Sequence, residues 1–226
     1  MIRRIRANRA WVLSVAALLA GCGNWREDRL LSAEFVYRAG RDPKGTRSAS
    51  VRGYFERHRE ELTAPRSLSW WGGYAASPLA PTRAAAAYAL GEARRLPSSA
   101  FLRPLLKDPD GEVRCAAAEA WGKLPRSVPL GPLLRASRDP DGWVRQAACQ
   151  ALGRLGNPEG VTALRARLAD PNGLVRAAAA LALGQLRPQR AELDLTPLLK
   201  DSNGAVRQAA ELALQALRRP GRDSAP

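Results

Sequence analysis

The residues with chemistry to offer are few, and most of them fall on a grid. The chain has one histidine and three cysteines. His58 stands in the charged stretch Glu56-Arg57-His58-Arg59-Glu60, which reads as a solvated helix face. No nucleophile elbow, phosphate loop or Cys-x-x-Cys pair is present, so the sequence offers no catalytic residue, no metal-ligand set and no cofactor site. The charged residues that do recur are Asp108, Asp139, Asp170 and Asp201, each six positions before Arg114, Arg145, Arg176 and Arg207, at a period of 31 residues. A fixed period in this range signals a stack of small units, which supplies a binding surface more readily than a catalytic pocket.

The elements that carry these charges repeat with them. Each arginine follows a valine (Val113, Val144, Val175, Val206), with Gly111, Gly142, Gly173 and Gly204 three positions earlier and paired alanines such as Ala116-Ala117 just after. In the unit from Asp170 to Gly184, Pro171 and Gly173 mark a tight turn, and Asn172 is placed to cap the helix that follows, as are Asp110, Asp141 and Asn203. Val175, Ala179, Ala182, Leu183 and Leu186 then share one helical face. Alanine favours helix yet fills little space, so neighbouring helices can approach closely. A shorter helix precedes each turn, most clearly over residues 158–168, with Asn157 as cap and Pro158 at the first helical position. Pro104 and Pro197 predict shortened first helices in their units. The period therefore encodes helix, turn, helix and a return loop such as Gly156 or Arg187-Pro188. Ser77-Pro78, Arg83 and Leu90-Gly91 continue the grid backward in degenerate form, and Val51-Arg52 falls on it once more.

The pattern L-x-D-P-[DN]-G-x-V-R-x-A-A-x-x-A-L-G resembles the HEAT-like repeats named after phycobilisome lyase subunits, over roughly residues 77–218. The resemblance implies an all-α, right-handed α-solenoid of stacked helix-turn-helix repeats with the 31-residue period. It also implies a hydrogen-bonded ladder between adjacent repeats, with Asp108, Asp139, Asp170 and Asp201 paired to Arg114, Arg145, Arg176 and Arg207, a structural device that fixes repeat geometry. HEAT-like hydroxylases of the deoxyhypusine type bind iron through repeated His-Glu pairs, and no His-Glu pair occurs here. Nothing matches a bilin site. The expected organisation is a signal over 1–21, a tether over 22–50, a cap or degenerate repeat over 51–76, about five repeats over 77–218, and a disordered tail over 219–226.

The N-terminus gives an address. Arg3, Arg4, Arg6 and Arg9 precede a ten-residue apolar run from Trp11 to Ala20, which is short for a membrane span and ends on small residues like a cleaved signal. Leu19-Ala20-Gly21-Cys22 resembles the bacterial lipobox, which implies that Cys22 becomes the acylated first residue of the mature chain, anchored in a lipid bilayer. Gly23 in place of Asp favours, by resemblance to sorting patterns, the periplasmic face of the outer membrane over the inner membrane.

The formal charge is +15, and removing the four signal arginines leaves about +11. That balance suits anionic partners. Export argues against nucleic acid, and only four of the 36 basic residues are lysine, which fits a coding bias as well as a selected patch. Arg94-Arg95, Arg165, Arg167, Arg187 and Arg190 fall in helix ends and return loops rather than in a cluster. Cys115 and Cys149 lie in adjacent units, one helical turn apart on the grid, and free thiols are the preferred reading over a disulfide. Trp70-Trp71-Gly72-Gly73-Tyr74 is read as packing for the first repeat ahead of a glycan or peptide site.

In a solenoid of this kind the second helices line the concave face. The rows left free to vary there are Glu112, Cys115 and Glu119, then Trp143, Gln146 and Gln150, then Leu174, Ala177 and Leu181, then Ala205, Gln208 and Leu212. Spacings of three and four place each trio on one helix face. Trp143 between the two glutamines is the kind of amphipathic anchor found at protein interfaces, with the alternative that it covers the neighbouring helix end. The leading expectation is a non-enzymatic binding or scaffolding lipoprotein whose partner is another envelope protein, with no small-molecule substrate. The runner-up is an anionic polymer or glycan on the basic surface, and a lyase-type enzyme ranks last.

Overall fold

The structure is a computed structural model that describes residues 68–218, an all-helical stretch. The signal at 1–21, Cys22, the tether at 22–50, His58 and the tail at 219–226 lie outside the described residues. The helices are α1 (Leu68–Tyr74), α2 (Ala80–Glu92), α3 (Ser98–Leu105), α4 (Gly111–Trp121), α5 (Gly131–Ala136), α6 (Gly142–Leu155), α7 (Val161–Arg167), α8 (Gly173–Leu186), α9 (Ala191–Leu195) and α10 (Gly204–Arg218). They form five pairs, a short first helix followed by a longer second one. The array reaches back to Leu68, so the grid position Ser77-Pro78 is the turn inside the first pair. There Trp71 is buried and meets Tyr74 at 6.2 Å between ring centroids.

Each pair is built by the same local chemistry. The second helices α4, α6, α8 and α10 begin at glycine, and the preceding Asp or Asn caps them. Asp110, Asp141, Asn172 and Asn203 accept the backbone N–H two residues on at 2.8, 2.8, 2.8 and 2.9 Å. These bonds satisfy donors that have no partner within the helix. Of the two first helices expected to be short because of a proline, the one at Pro197 is short and the one at Pro104 is not. Helix α3 runs for eight residues through Pro104, the longest of the five first helices, because the proline comes one residue before its end. Pro197 acts differently: α9 stops at Leu195 and the chain continues as a 3-10 turn over Thr196–Lys200. Pro158–Gly160 is likewise a 3-10 turn leading into α7, capped by Asn157.

The core is as periodic as the sequence. Every first helix from α3 onward contributes one fully buried leucine, namely Leu102, Leu133, Leu164 and Leu195, and every second helix from α4 a buried valine, Val113, Val144, Val175 or Val206. Leu90, Leu152 and Leu183 occupy a third row in which Trp121 replaces leucine, its indole N–H donating to the Pro129 carbonyl at 3.2 Å. Truncating one of these leucines to alanine removes about 2–5 kcal/mol.

Alanine and glycine set the spacing of the second helices. A Cβ on Gly91, Gly122 or Gly184 would lie 2.7–2.8 Å from the Cα of Ala120, Ala151 or Ala213 in the next second helix. Gly153 faces Ala182 in the same way. Close backbone approach thus follows a Gly–Ala spine along the second helices, while neighbouring first helices meet through side chains, as Phe101 meets Gly72 and Arg165 meets Asp194. A stack tight on one side and loose on the other curves toward the tight side, so the free surface of the second helices is the concave face.

Candidate functional site

The recurring charges form the ladder between adjacent units that the resemblance implies, but its rungs are not Asp108 with Arg114, Asp139 with Arg145, Asp170 with Arg176 and Asp201 with Arg207. Each arginine reaches forward to the aspartate of the next unit. Arg114 donates through Nε and Nη2 to Asp139 at 2.8 and 3.0 Å, Arg145 to Asp170 at 2.8 and 2.8 Å, and Arg176 to Asp201 at 2.8 and 2.7 Å. Arg83 opens the series on Asp108 at 2.6 and 2.7 Å. The third nitrogen of each guanidinium holds its own unit: Nη1 of Arg114 donates to the carbonyls of Asp108 and Pro109 at 2.8 and 3.1 Å. The aspartate six residues back therefore lends its backbone oxygen, and its carboxylate belongs to the preceding unit. Arg207 keeps only the backbone half.

These pairs are largely enclosed. The Asp170 side chain is fully buried beside an Arg145 side chain that is 12% exposed. Burial pushes the Asp170 carboxyl upward, but the bonds from Arg145 and the Asn172 N–H outweigh it and hold it below its ordinary value. Burial raises and Arg83 lowers Asp108 in the same way, with the same net direction. Bonds from Arg176, and then from the Asn203 N–H, depress Asp201. Charges locked this firmly bind units together and are not poised for proton transfer.

The concave face carries the variable positions. Trp143 is 60% exposed, Leu212 50%, and Leu174 and Leu181 39% each, so four large apolar side chains stand in solvent on three consecutive second helices. Gln208 is exposed beside them, and Gln146 and Gln150 are half-buried between Trp143 and the spine. Grid equivalence places Trp143, Leu174 and Ala205 in one row and Gln150, Leu181 and Leu212 in another. Toward the N-terminal end the face closes: Glu112 and Glu119 are half-buried and Cys115 is buried, its Sγ 3.8 Å from the Trp143 carbonyl oxygen. The exposed apolar side chains of this face thus fall on α6, α8 and α10.

Both cysteines within the described residues are free and buried. Burial pushes the Cys149 thiol up to about 12, far from a reactive thiolate. No cluster of three potential metal ligands occurs among the described residues, and no described helix is long and apolar enough to cross a membrane. The exposed arginines are dispersed. Arg103 and Arg135 sit in the last turns of α3 and α5, where a cation complements the helix dipole, and Arg165 pairs with Asp194 at 2.7 Å. Sequence reasoning passed over three exposed leucines off the concave face, Leu96, Leu193 and Leu199, of which Leu193 is 70% exposed. It also missed the Lys123–Glu92 ion pair at 2.6 Å, which joins the turn after α4 to the end of α2 across one full period.

Comparison with known proteins supports the architecture. The HEAT repeats family model matches residues 128–215 and the HEAT repeat model residues 100–124. No curated protein sequence matches the chain. Among solved structures, the complex of CpcE and CpcF of phycocyanin lyase from Nostoc sp. PCC7120 is similar at 24% identity and TM-score 0.60, over 69% of this chain and 66% of that one. YibA of E. coli is similar at 20% identity and TM-score 0.59, over 88% and 73%. A designed armadillo repeat protein in complex with the peptide (KR)4 is similar at 17% identity and TM-score 0.50, over 81% and 99%. At these identities the likeness is one of fold. With its 31-residue grid, capped second helices and inter-unit Arg–Asp rungs, the chain belongs to the HEAT-repeat proteins.

Proposed function

We propose that this HEAT-repeat stack is a non-catalytic scaffold that grips a segment of another protein along its concave face. The observation that carries the reading is the exposure of Trp143, Leu174, Leu181 and Leu212 together on α6, α8 and α10. Isolated surface leucines need no explanation, but an aromatic and three leucines on equivalent faces of stacked helices form an apolar strip that association would cover. The designed armadillo neighbour, solved in complex with the peptide (KR)4, is an instance of a repeat protein that takes a peptide ligand. The same proposal includes an address. Leu19-Ala20-Gly21-Cys22 supports acylation of Cys22 and a lipid anchor in the bacterial envelope, on the periplasmic face of the outer membrane, so the partner is an envelope protein.

The test has two arms. Trp143→Ala with Gln146→Ala leaves the helical circular dichroism and the melting curve unchanged but abolishes capture of the partner from detergent-solubilised envelopes. Capture equal to that of the unaltered chain rejects the concave site. Separately, Cys22→Ala moves the protein from the membrane to the soluble fraction and ends incorporation of labelled palmitate. Membrane retention with no label rejects the anchor while leaving the binding face untouched.

A further inference from the structure

The ladder ends on a rung that lacks its second half. Arg207 is held like the arginines before it: Nη1 donates to the carbonyls of Asp201 at 2.7 Å and Ser202 at 3.1 Å, the counterparts of Asp170 and Pro171 for Arg176. A second measurement agrees. Nη2 of Arg207 lies 3.6 Å from where a Cβ on Gly204 would stand, against 3.7 Å for Arg114 over Gly111 and for Arg145 over Gly142. The guanidinium thus keeps the rung posture. It is exposed, and among the described residues no carboxylate meets its Nε or Nη2.

We infer that Arg207 is a pre-set receptor for a carboxylate of a partner protein, an aspartate at the head of an Asp-Pro-Asx-type turn, docking on the end face of the stack. The chain itself displays the ligand chemistry. Four times a guanidinium in this posture takes an aspartate through two N–H bonds of 2.6–3.0 Å. Each of those aspartates also accepts, through Oδ1, the N–H two residues on, which orients the carboxylate. Pinning Nη1 in advance removes much of the ordering cost of binding, and the planar fork sets a geometry that a lysine cannot reproduce.

The rest of the end face decides what kind of partner arrives. Where inner second helices present Ala118, Cys149 or Ala180 and then Gly122, Gly153 or Gly184 to the next unit, α10 presents Glu211 and Gln215, both exposed. A further unit of this stack cannot seat on those side chains at spine distance, so the contact is polar and local. The ladder of a second copy is a poor source of the carboxylate, because its four aspartates already hold arginines. This end-face site is separate from the concave strip and stands or falls independently of it.

The full chain, with its arginines labelled with nitrogen-15, is titrated with acetyl-Asp-Pro-Asn-Gly-amide and, in parallel, with acetyl-Asn-Pro-Asn-Gly-amide. The Nε–H resonances are followed, and that of Arg207 is assigned by its loss in Arg207→Lys. The Arg207 signal moves saturably with the aspartyl peptide and at least tenfold more weakly with the asparaginyl one. The affinity drops severalfold as salt rises, since the pair is solvent-exposed. The signals of Arg114, Arg145 and Arg176, whose rungs are filled, stay in place and show the fold intact. If Arg207 moves no further than the exposed Arg154 and Arg218, or responds equally to both peptides, the site is a polar end cap without a ligand and the inference is overturned.

Discussion

Replacing Gly184 with alanine should destabilise the protein, against the ordinary rule for helices. Gly184 lies inside α8 with no positive φ, and in an exposed helix the change to alanine stabilises by about 1 kcal/mol. Here the new Cβ would lie 2.8 Å from both the Cα and the Cβ of Ala213 and 3.3 Å from its carbonyl oxygen. Carbon atoms pack at roughly 3.5–4.0 Å, so α8 and α10 must separate by on the order of 0.7 Å. Inserting a methyl into a packed interface costs about 1–3 kcal/mol, and the separation also stretches the Arg176–Asp201 rung. Because the obstacle is a backbone Cα, the cost falls in the upper part of that range, about 2–3 kcal/mol, and the propensity gain leaves a net loss of about 1–2 kcal/mol. In urea unfolding followed by helical circular dichroism, with a slope near 2 kcal/mol/M, the midpoint drops by roughly 0.5–1 M. Gln215, at the equivalent position of α10 but exposed, is the control: Gln215→Ala should change stability by less than about 0.5 kcal/mol. Ala213→Gly should not rescue Gly184→Ala, because the Cα of residue 213 remains in the way. A midpoint for Gly184→Ala equal to or above that of the unaltered chain refutes the close-approach reasoning.

Acid should unfold the stack through its ladder. Asp108, Asp170 and Asp201 have folded pKa values below the ordinary carboxylate value of about 4, so the unfolded chain binds more protons in acid. Their contribution is complete above about pH 5 and lost as pH falls through the lowered values. Asp170→Asn, measured by thermal melting from about pH 7 to 2, should lose roughly 3 kcal/mol near neutrality and show a flatter acid limb, and an unchanged limb contradicts the assignment. Arg94 follows α2 in the left-handed region at φ 51°, where glycine is the favoured residue. Arg94→Gly should therefore raise the melting temperature by a few degrees, and a drop would show that its side chain matters more than its backbone. Cys149, with its thiol pushed up to about 12 by burial, should resist Ellman's reagent at pH 8 in the native protein and react once urea unfolds it. Rapid native labelling at that position would mean the α6 core opens freely.

Much of this architecture was legible because each local signal agrees with the period. The caps Asp110, Asp141, Asn172 and Asn203, the valine at each grid point and the alanine-rich second helices all read directly as helix starts, core and close approach, whereas the glycines opposite those alanines did not. The ladder's direction was harder. In a perfect repeat, an aspartate six residues before an arginine and one 25 residues after it recur together, and spacing alone does not choose between them. The degenerate unit does choose: Arg83 is kept although position 77 is serine, and Asp108 stands 25 residues ahead. Concave positions were legible as a row, but their exposure was not. Cys115, Gln146 and Gln208 belong to the same register and differ in burial, because exposure depends on what lies over each helix rather than on its own periodicity. Pro104 misled because it sits where a helix is already ending, whereas Pro197 does cut its helix short as expected.

The Gly–Ala spine has a mechanical consequence. Like a bent strip whose inner surface cannot stretch, the stack has its neutral line along the tightly packed second helices. Flexing must open or close the gaps between first helices and leaves the rung-to-rung distance nearly constant. A segment lying against Trp143, Leu174 and Leu212 would therefore meet a ruler of fixed graduation, while the curvature behind it adjusts to the ligand's shape.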